Sequence, residues 1–188
     1  ATTELAVGLV AKYPFWVSTS LMALAPCIVE ELAYRGVILG SYRYSSRIWA
    51  IVVSGLLFGA MHMNFNQMAY AVILGMMLGL LAEVTGSILS TMLAHFCFNE
   101  ISVCLSYFMY HNSSMKTMVE SASETAVSKQ QLLITIVGMM PVAIGGLCIA
   151  FALLYALAVL NGRKKEVLDM FRRHRTYADD GTEIRKPG

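Results

Sequence analysis

Three short strings of polar, proton-handling residues interrupt otherwise apolar sequence. They are Glu30-Glu31-Leu-Ala-Tyr-Arg35, Phe58-Gly-Ala-Met-His62 and His95-Phe-Cys-Phe-Asn99. Ionisable side chains inside a membrane segment are energetically costly, so those that occur there are candidates for function. The pattern therefore predicts an enzyme whose reacting groups lie among membrane helices.

The first string carries two adjacent acids and one arginine. Glu31 and Arg35 are spaced i, i+4 with the acid first, which is the favourable order for an ion pair on a helix. Glu30 points about 100° away around the helix, so it is free to face another partner. We therefore expect Glu31 and Arg35 to form a structural and electrostatic pair and Glu30 to carry the proton chemistry. The alternative is an ion pair plus a buried acid kept for packing alone.

The second string ends in His62. Together with Glu30, this histidine is positioned to hold and deprotonate a water molecule. Phe58 lies one helical turn earlier, so its ring shares a face with His62 and is expected to fix the imidazole by packing. Ordinary core packing is the alternative for Phe58.

The third string places His95 and Asn99 on one helix face. An imidazole N–H and an amide N–H₂ directed at one point form a plausible oxyanion hole. A hydrogen bond between helices is the alternative use of this pair. Glu100 is expected to point to another face.

Composition places these strings in a polytopic membrane protein. Of the 188 residues, 57% are hydrophobic and 14% are charged, whereas a soluble domain is about 45–50% apolar and about 25% charged. The fold class predicted is an all-α membrane helix bundle with about five transmembrane spans, since about 20 apolar residues cross a bilayer. The expected spans are Pro14–Tyr42, Arg47–His62, Gln67–Glu83, Ser87–Tyr110 and Gln131–Leu160, with Asn64-Phe-Asn66 as a turn.

Basic residues predict the orientation and divide the chain. Residues 1–160 are expected to form the intramembrane domain, and residues 161–188 a charged cytoplasmic tail. The tail and the connection around Arg43 and Arg47 carry basic clusters, and both fall on the cytoplasmic side in one topology. The Ser-rich loop His111–Gln130, expected outside, has no basic excess. The short loops and the basic pattern favour a prokaryotic cell membrane.

The glycines and cysteines of the apolar segments are explained by packing, without a catalytic role. Gly75, Gly79 and Gly86 follow the spacing of close helix packing. The four cysteines lie in apolar segments without the spacing of a zinc site, and are expected to be small buried hydrophobes: Cys27, Cys97, Cys104 and Cys148.

The three strings, in this order, resemble the motif set of the CAAX protease and bacteriocin-processing family (CPBP, or Abi), including its Ras-converting CAAX prenyl endopeptidases. The resemblance covers residues 30–99 and implies a glutamate-dependent intramembrane peptidase. In it, Glu30 and His62 would activate water, and His95 and Asn99 would stabilise the oxyanion. Relatives have further spans before the first motif.

Several alternatives stay open at this stage. No cofactor is expected, but zinc bound by Glu30, His62 and His95 is an alternative, because such ligands leave an open coordination position. A non-catalytic membrane immunity or scaffold protein is another, and a thiol protease using Cys27 or Cys97 is remote. The partners expected are a peptide or lipidated-peptide substrate and the lipid bilayer, and no nucleic acid.

Overall fold

The computed structural model describes residues 8–42, 46–114, 117, 129–170, 176–177 and 183–184. Residues 8–12 are helical, and the longer helix that follows, named α1, is continuous over 15–39 and mixes two helix types. It is α-helical over Phe15–Thr19 and Ala25–Glu31 and π-helical over Ser20–Leu24 and Leu32–Leu39. Wider π-helical turns are rare and often occur at functional sites. The change from α-helix to π-helix after Glu31 is therefore the first structural indication of a functional site.

The remaining elements follow in simple order. They are α2 (Arg47–Met61), α3 (Phe65–Thr85), α4 (Ile88–His111), α5 (Lys129–Leu160) and α6 (Lys164–Met170), then a two-residue antiparallel pair of β1 (Thr176–Tyr177) and β2 (Glu183–Ile184). The predicted all-α bundle is confirmed in outline. The turn expected at Asn64-Phe-Asn66 lies earlier, since α3 begins at Phe65.

Five membrane spans are not confirmed. Among the described residues, two helices are long and apolar enough to cross a bilayer, namely Gln67–Thr85 with mean hydropathy 1.8 and Ile88–His111 with mean hydropathy 1.5. The α2 helix is apolar but has 15 residues, or about 22 Å, which is shorter than a bilayer core of about 30 Å. In α1 the change of helix type interrupts each α-helical run.

Glycines allow α2 and α3 to pack closely. A Cβ built at Gly75 would lie 3.0 Å from the Gly55 Cα, and one built at Gly59 would overlap the Val72 side chain. The packing role predicted for Gly75 is thus confirmed. Gly86 is different, because its φ of +68° places it in the left-handed region at the end of α3. It allows the tight turn into α4.

The core consists of two buried clusters. One joins α1, α2 and α3 through Tyr34, Phe58 and Ala71. The other joins α1 and α2 through Leu39, Ala50 and Ile51, and Met170 from α6 packs against it. The first part of the predicted charged tail therefore docks on the bundle. Arg172, Arg173 and Arg175 lie outside the described residues, as do Arg43 and most of the polar loop.

Outward-facing side chains are mostly apolar. On α4, seven large hydrophobic residues are exposed: Leu89, Leu93, Phe98, Ile101, Leu105, Phe108 and Tyr110. An exposed apolar surface of this extent is typical of contact with lipid or another protein. The burial expected for the cysteines is wrong for three of four, since Cys27 is buried whereas Cys97, Cys104 and Cys148 are exposed.

Candidate active site

A buried ion pair spans one turn of α1 at the change of helix type. Glu31 Oε1 lies 2.8 Å from Arg35 Nη1, and neither side chain has exposed surface. Arg35 Nη2 also donates a hydrogen bond of 2.8 Å to the Gly75 carbonyl oxygen. The predicted Glu31–Arg35 pair is therefore confirmed, and the guanidinium in addition ties α1 to α3.

The same carboxylate holds His95 of α4. His95 Nδ1 lies 3.0 Å from Glu31 Oε1. Because that oxygen already accepts a hydrogen bond from Arg35, it acts as an acceptor, and Nδ1 is the donor. The other ring nitrogen, Nε2, lies 3.9 Å from Glu30 Oε2. The imidazole thus stands between the two acids that are adjacent in the sequence.

Exposure separates the two acids. The side chain of Glu30 is 19% exposed, while that of Glu31 is 0% exposed. Glu30 is therefore the carboxylate of this cluster that an incoming molecule can reach. The expectation that the two acids face different surroundings is confirmed, although His95 contacts Glu31 as well as facing Glu30.

Phe58 lies at the centre of the cluster. Its ring centroid is 5.2 Å from His62, 5.5 Å from His95 and 5.3 Å from Tyr34, each in an edge-to-face arrangement. The Arg35 guanidinium carbon lies 4.9 Å from the same centroid. Such contacts are geometrically specific and exclude water. Phe58 therefore orients both histidines, which goes beyond core filling.

The orientation of His62 settles which of its nitrogens is free. His62 directly follows the last turn of α2, and its Nδ1 lies 2.9 Å from the Phe58 carbonyl oxygen. A carbonyl oxygen only accepts, so Nδ1 carries the proton and Nε2 presents a lone pair in the neutral ring. His62 is half-buried. Its free nitrogen is suited to accept a proton.

Asn99 is placed by its helical spacing. It lies one turn after His95 on α4 and is half-buried. Within the described residues, no hydrogen bond joins its amide to the cluster. Its amide group is thus free to meet a bound substrate.

Two hydrogen bonds that support the cluster were not predicted from the sequence. Ser54 Oγ donates to the Tyr34 carbonyl oxygen at 3.1 Å, and the Tyr34 hydroxyl lies 3.4 Å from the Leu57 carbonyl oxygen. These bonds join α1 to α2 beside Phe58. The signal that could have found Ser54 is its spacing, because Ser54, Phe58 and His62 recur every four residues on one face of α2.

The cluster offers nitrogen and oxygen donors, which raises the question of a metal. In the part of the chain that the structure describes, no group of three or more His, Cys, Asp or Glu side chains is arranged to hold a metal ion. The zinc alternative stays a hypothesis for experiment.

One comparison with known proteins found a match, and it covers the segment that carries the three motifs. Searches of curated proteins and of solved structures gave no match. The family model described as type II CAAX prenyl endopeptidase Rce1-like matches residues 12–101. That segment runs from the start of α1 through the site-bearing part of α4, and so contains all three motifs. Residues 12–101 are therefore similar to the Rce1-like family of type II CAAX prenyl endopeptidases, a family of membrane-embedded proteases.

Proposed function

We propose that this protein is an intramembrane endopeptidase that hydrolyses a peptide bond with water activated by Glu30 and His62. One observation carries the proposal: His95 is held between Glu30 and Glu31 in a buried cluster that Arg35 completes. Two acids, a base and a hydrogen-bonded imidazole that face a partly open position are the parts needed for acyl transfer to water.

Glu30 and His62 activate the water, because both have free acceptor atoms. Glu30 is the more exposed acid of the pair, and His62 has its Nε2 lone pair free because its Nδ1 is hydrogen-bonded to the Phe58 carbonyl oxygen. A water molecule that donates to both would lose a proton to one of them as it attacks the carbonyl carbon. The acquired proton would then pass to the leaving amine.

Oxyanion stabilisation falls to His95 and Asn99. His95 Nδ1 already donates to Glu31, so donation from Nε2 requires the imidazolium form. Asn99 adds a neutral donor one turn away.

The substrate class follows from the surroundings of the site. The apolar outer surface of α4 and the similarity of residues 12–101 to CAAX prenyl endopeptidases favour a peptide or lipidated peptide presented at the membrane. A membrane immunity or scaffold protein with the same fold is the non-enzymatic alternative.

The proposal is tested by replacing the base. Glu30→Gln keeps the shape of the side chain and should lower turnover of a fluorogenic peptide about 10²- to 10⁴-fold. Glu166→Gln, at an exposed acid on α6, is the matched control and should retain turnover. His62→Ala should lose a similar factor, and the double variant should be little worse than either single one, because groups that act as a unit are not additive.

The outcomes are distinct. Wild-type turnover in Glu30→Gln would remove Glu30 from the mechanism. Full biological function of Glu30→Ala together with no measurable cleavage by the wild type would favour the scaffold alternative.

A further inference from the structure

Ser54 is a buried serine of α2 whose hydroxyl group bonds to α1. The residue has no exposed surface, and its Oγ donates a 3.1 Å hydrogen bond to the Tyr34 carbonyl oxygen, 20 residues earlier in the chain. A helical serine commonly donates instead to the carbonyl oxygen four residues earlier in its own helix. Several other hydroxyl groups of this chain do so: Ser20, Ser41, Thr85 and Ser102. Ser54 therefore uses its one donor for a contact between helices.

The acceptor of this bond lies in the π-helical part of α1. The π-helix is rare and is mostly limited to a single turn, so a stretch of eight residues, Leu32–Leu39, depends on contacts from outside the helix. Tyr34 has three such contacts with α2. Its carbonyl oxygen accepts from Ser54, its hydroxyl lies 3.4 Å from the Leu57 carbonyl oxygen, and its ring packs edge to face on Phe58. The bond from Ser54 is the one made to the backbone of α1.

The Tyr34 carbonyl belongs to the peptide unit that carries Arg35. A peptide unit is planar, so a restraint on the Tyr34 carbonyl oxygen also restrains the Cα of Arg35. From that position the guanidinium makes two bonds of 2.8 Å, one to Glu31 Oε1 and one to the Gly75 carbonyl oxygen. Hydrogen bonds weaken steeply when they are misaligned. A rotation of the peptide unit before Arg35 would therefore weaken at least one of the two.

Glu31 links Arg35 to α4. The oxygen that Arg35 binds, Oε1, also lies 3.0 Å from His95 Nδ1. The bond at Nδ1 sets the orientation of the ring and thus the direction of Nε2, which lies 3.9 Å from Glu30 Oε2. A series of buried contacts therefore leads from Ser54 on α2, through Arg35 and Glu31 on α1, to His95 on α4.

We propose that Ser54 is a positioning residue, which holds the π-helical turn of α1 so that Arg35 and Glu31 keep His95 in the orientation that the reaction needs. The inference rests on the proposed function and adds to it a residue outside the three motifs. Loss of the hydroxyl group frees the peptide unit before Arg35 to rotate. Because Ser54 has no exposed surface, it does not contact a substrate, and its loss should act on kcat rather than on KM.

The kinetic test compares two buried hydroxyl groups. Ser54→Ala should lower kcat for a fluorogenic peptide about ten- to hundredfold and change KM less than about twofold, since a misplacement of about 1 Å can cost about a hundredfold in rate. Thr91→Val is the matched control. Thr91 is buried and lies one turn before His95 on α4, but its hydroxyl donates to the Ile88 carbonyl oxygen of its own helix at 2.7 Å. Thr91→Val should retain kcat, even where it lowers the melting temperature as much as Ser54→Ala.

A double variant tests whether Ser54 acts through Arg35. Arg35→Lys keeps the positive charge but offers one nitrogen in place of the planar fork, so it cannot reproduce both bonds. In that background, Ser54→Ala should lower kcat by less than about a further twofold, because residues that act through one another are not additive. The full loss in both backgrounds would show that Ser54 acts independently of Arg35, and would overturn the inference.

Nuclear magnetic resonance of the imidazole N–H groups separates this inference from the proposed chemistry. In protein with isotope-labelled histidine, His95→Gln identifies the Nδ1–H signal of His95. Ser54→Ala should shift this signal or speed its exchange with water, and Thr91→Val should leave it unchanged. An unchanged signal or wild-type kcat in Ser54→Ala contradicts the positioning role. If the wild type cleaves no peptide but the signal depends on Ser54, the positioning role stands and it is the proposed reaction that fails.

Discussion

Arg35 offers the sharpest test of how the cluster is built. Its guanidinium lies 2.8 Å from Glu31 Oε1, donates a 2.8 Å hydrogen bond to the Gly75 carbonyl and contacts the Phe58 ring at 4.9 Å. Arg35→Ala removes all three contacts. It leaves Glu31, which has no exposed surface, with His95 as its remaining partner.

The expected cost follows from these contacts. Breaking a buried ion pair by removing one partner destabilises a protein by about 3–5 kcal/mol, because the other charge stays buried. For a chain of this size, each kcal/mol lowers the melting temperature by about 2–4 °C, so a decrease of about 6–20 °C is expected. Glu30→Gln should change the melting temperature little, since its side chain is partly exposed and keeps its volume.

The measurement is thermal unfolding of detergent-solubilised protein, followed by near-ultraviolet circular dichroism. A double variant, Glu31→Gln with Arg35→Ala, should melt above Arg35→Ala alone, because it no longer buries an unpaired carboxylate. If Arg35→Ala and Glu30→Gln melt at the same temperature, or if the double variant shows the full sum of the single losses, the argument for a buried pair is refuted.

Three further predictions concern the metal, the topology and the helix packing. Turnover should survive treatment with a strong chelator followed by its removal; loss of turnover that zinc alone restores would make Glu30 and the two site histidines metal ligands. Cysteines introduced at Ser114 and Asp180 should be labelled from outside and from the cytoplasm, respectively, as the positive-inside rule requires; labelling of position 114 from the cytoplasm alone would reverse the topology. Gly59→Ala should lower the free energy of unfolding by about 1–3 kcal/mol, because a Cβ there overlaps α3. Gly146→Ala should be close to neutral, because no atom lies within 4 Å of the added Cβ. Equal melting temperatures for these two variants would contradict the packing argument.

Local sequence determined much of what the structure shows. The i, i+4 spacing of Glu31 and Arg35 was enough to predict their ion pair, because residues one turn apart on a helix lie on one face whatever the rest of the chain does. The same rule placed Phe58 beside His62. Long apolar runs predicted the helices, since that signal depends only on near neighbours in the chain.

Contacts between distant segments were decided by the tertiary structure. Glu31 and His95 are 64 residues apart, and no spacing rule indicates that His95 would bind this acid through Nδ1 while facing Glu30 through Nε2. The close approach of α2 and α3 at Gly55 and Gly75 brings the Gly75 carbonyl within reach of Arg35. That approach depends on the packing of whole helices.

Glu100 shows the limit of sequence reasoning most clearly. On α4 alone it points away from His95, and the sequence offered no reason to give it weight. Thr19, 81 residues earlier, supplies its hydrogen bond only because α1 packs against α4. Helical periodicity determines which residues share a face, but the packing of helices determines what that face meets, and so the sequence specified the reacting groups while the tertiary structure alone decided their partners.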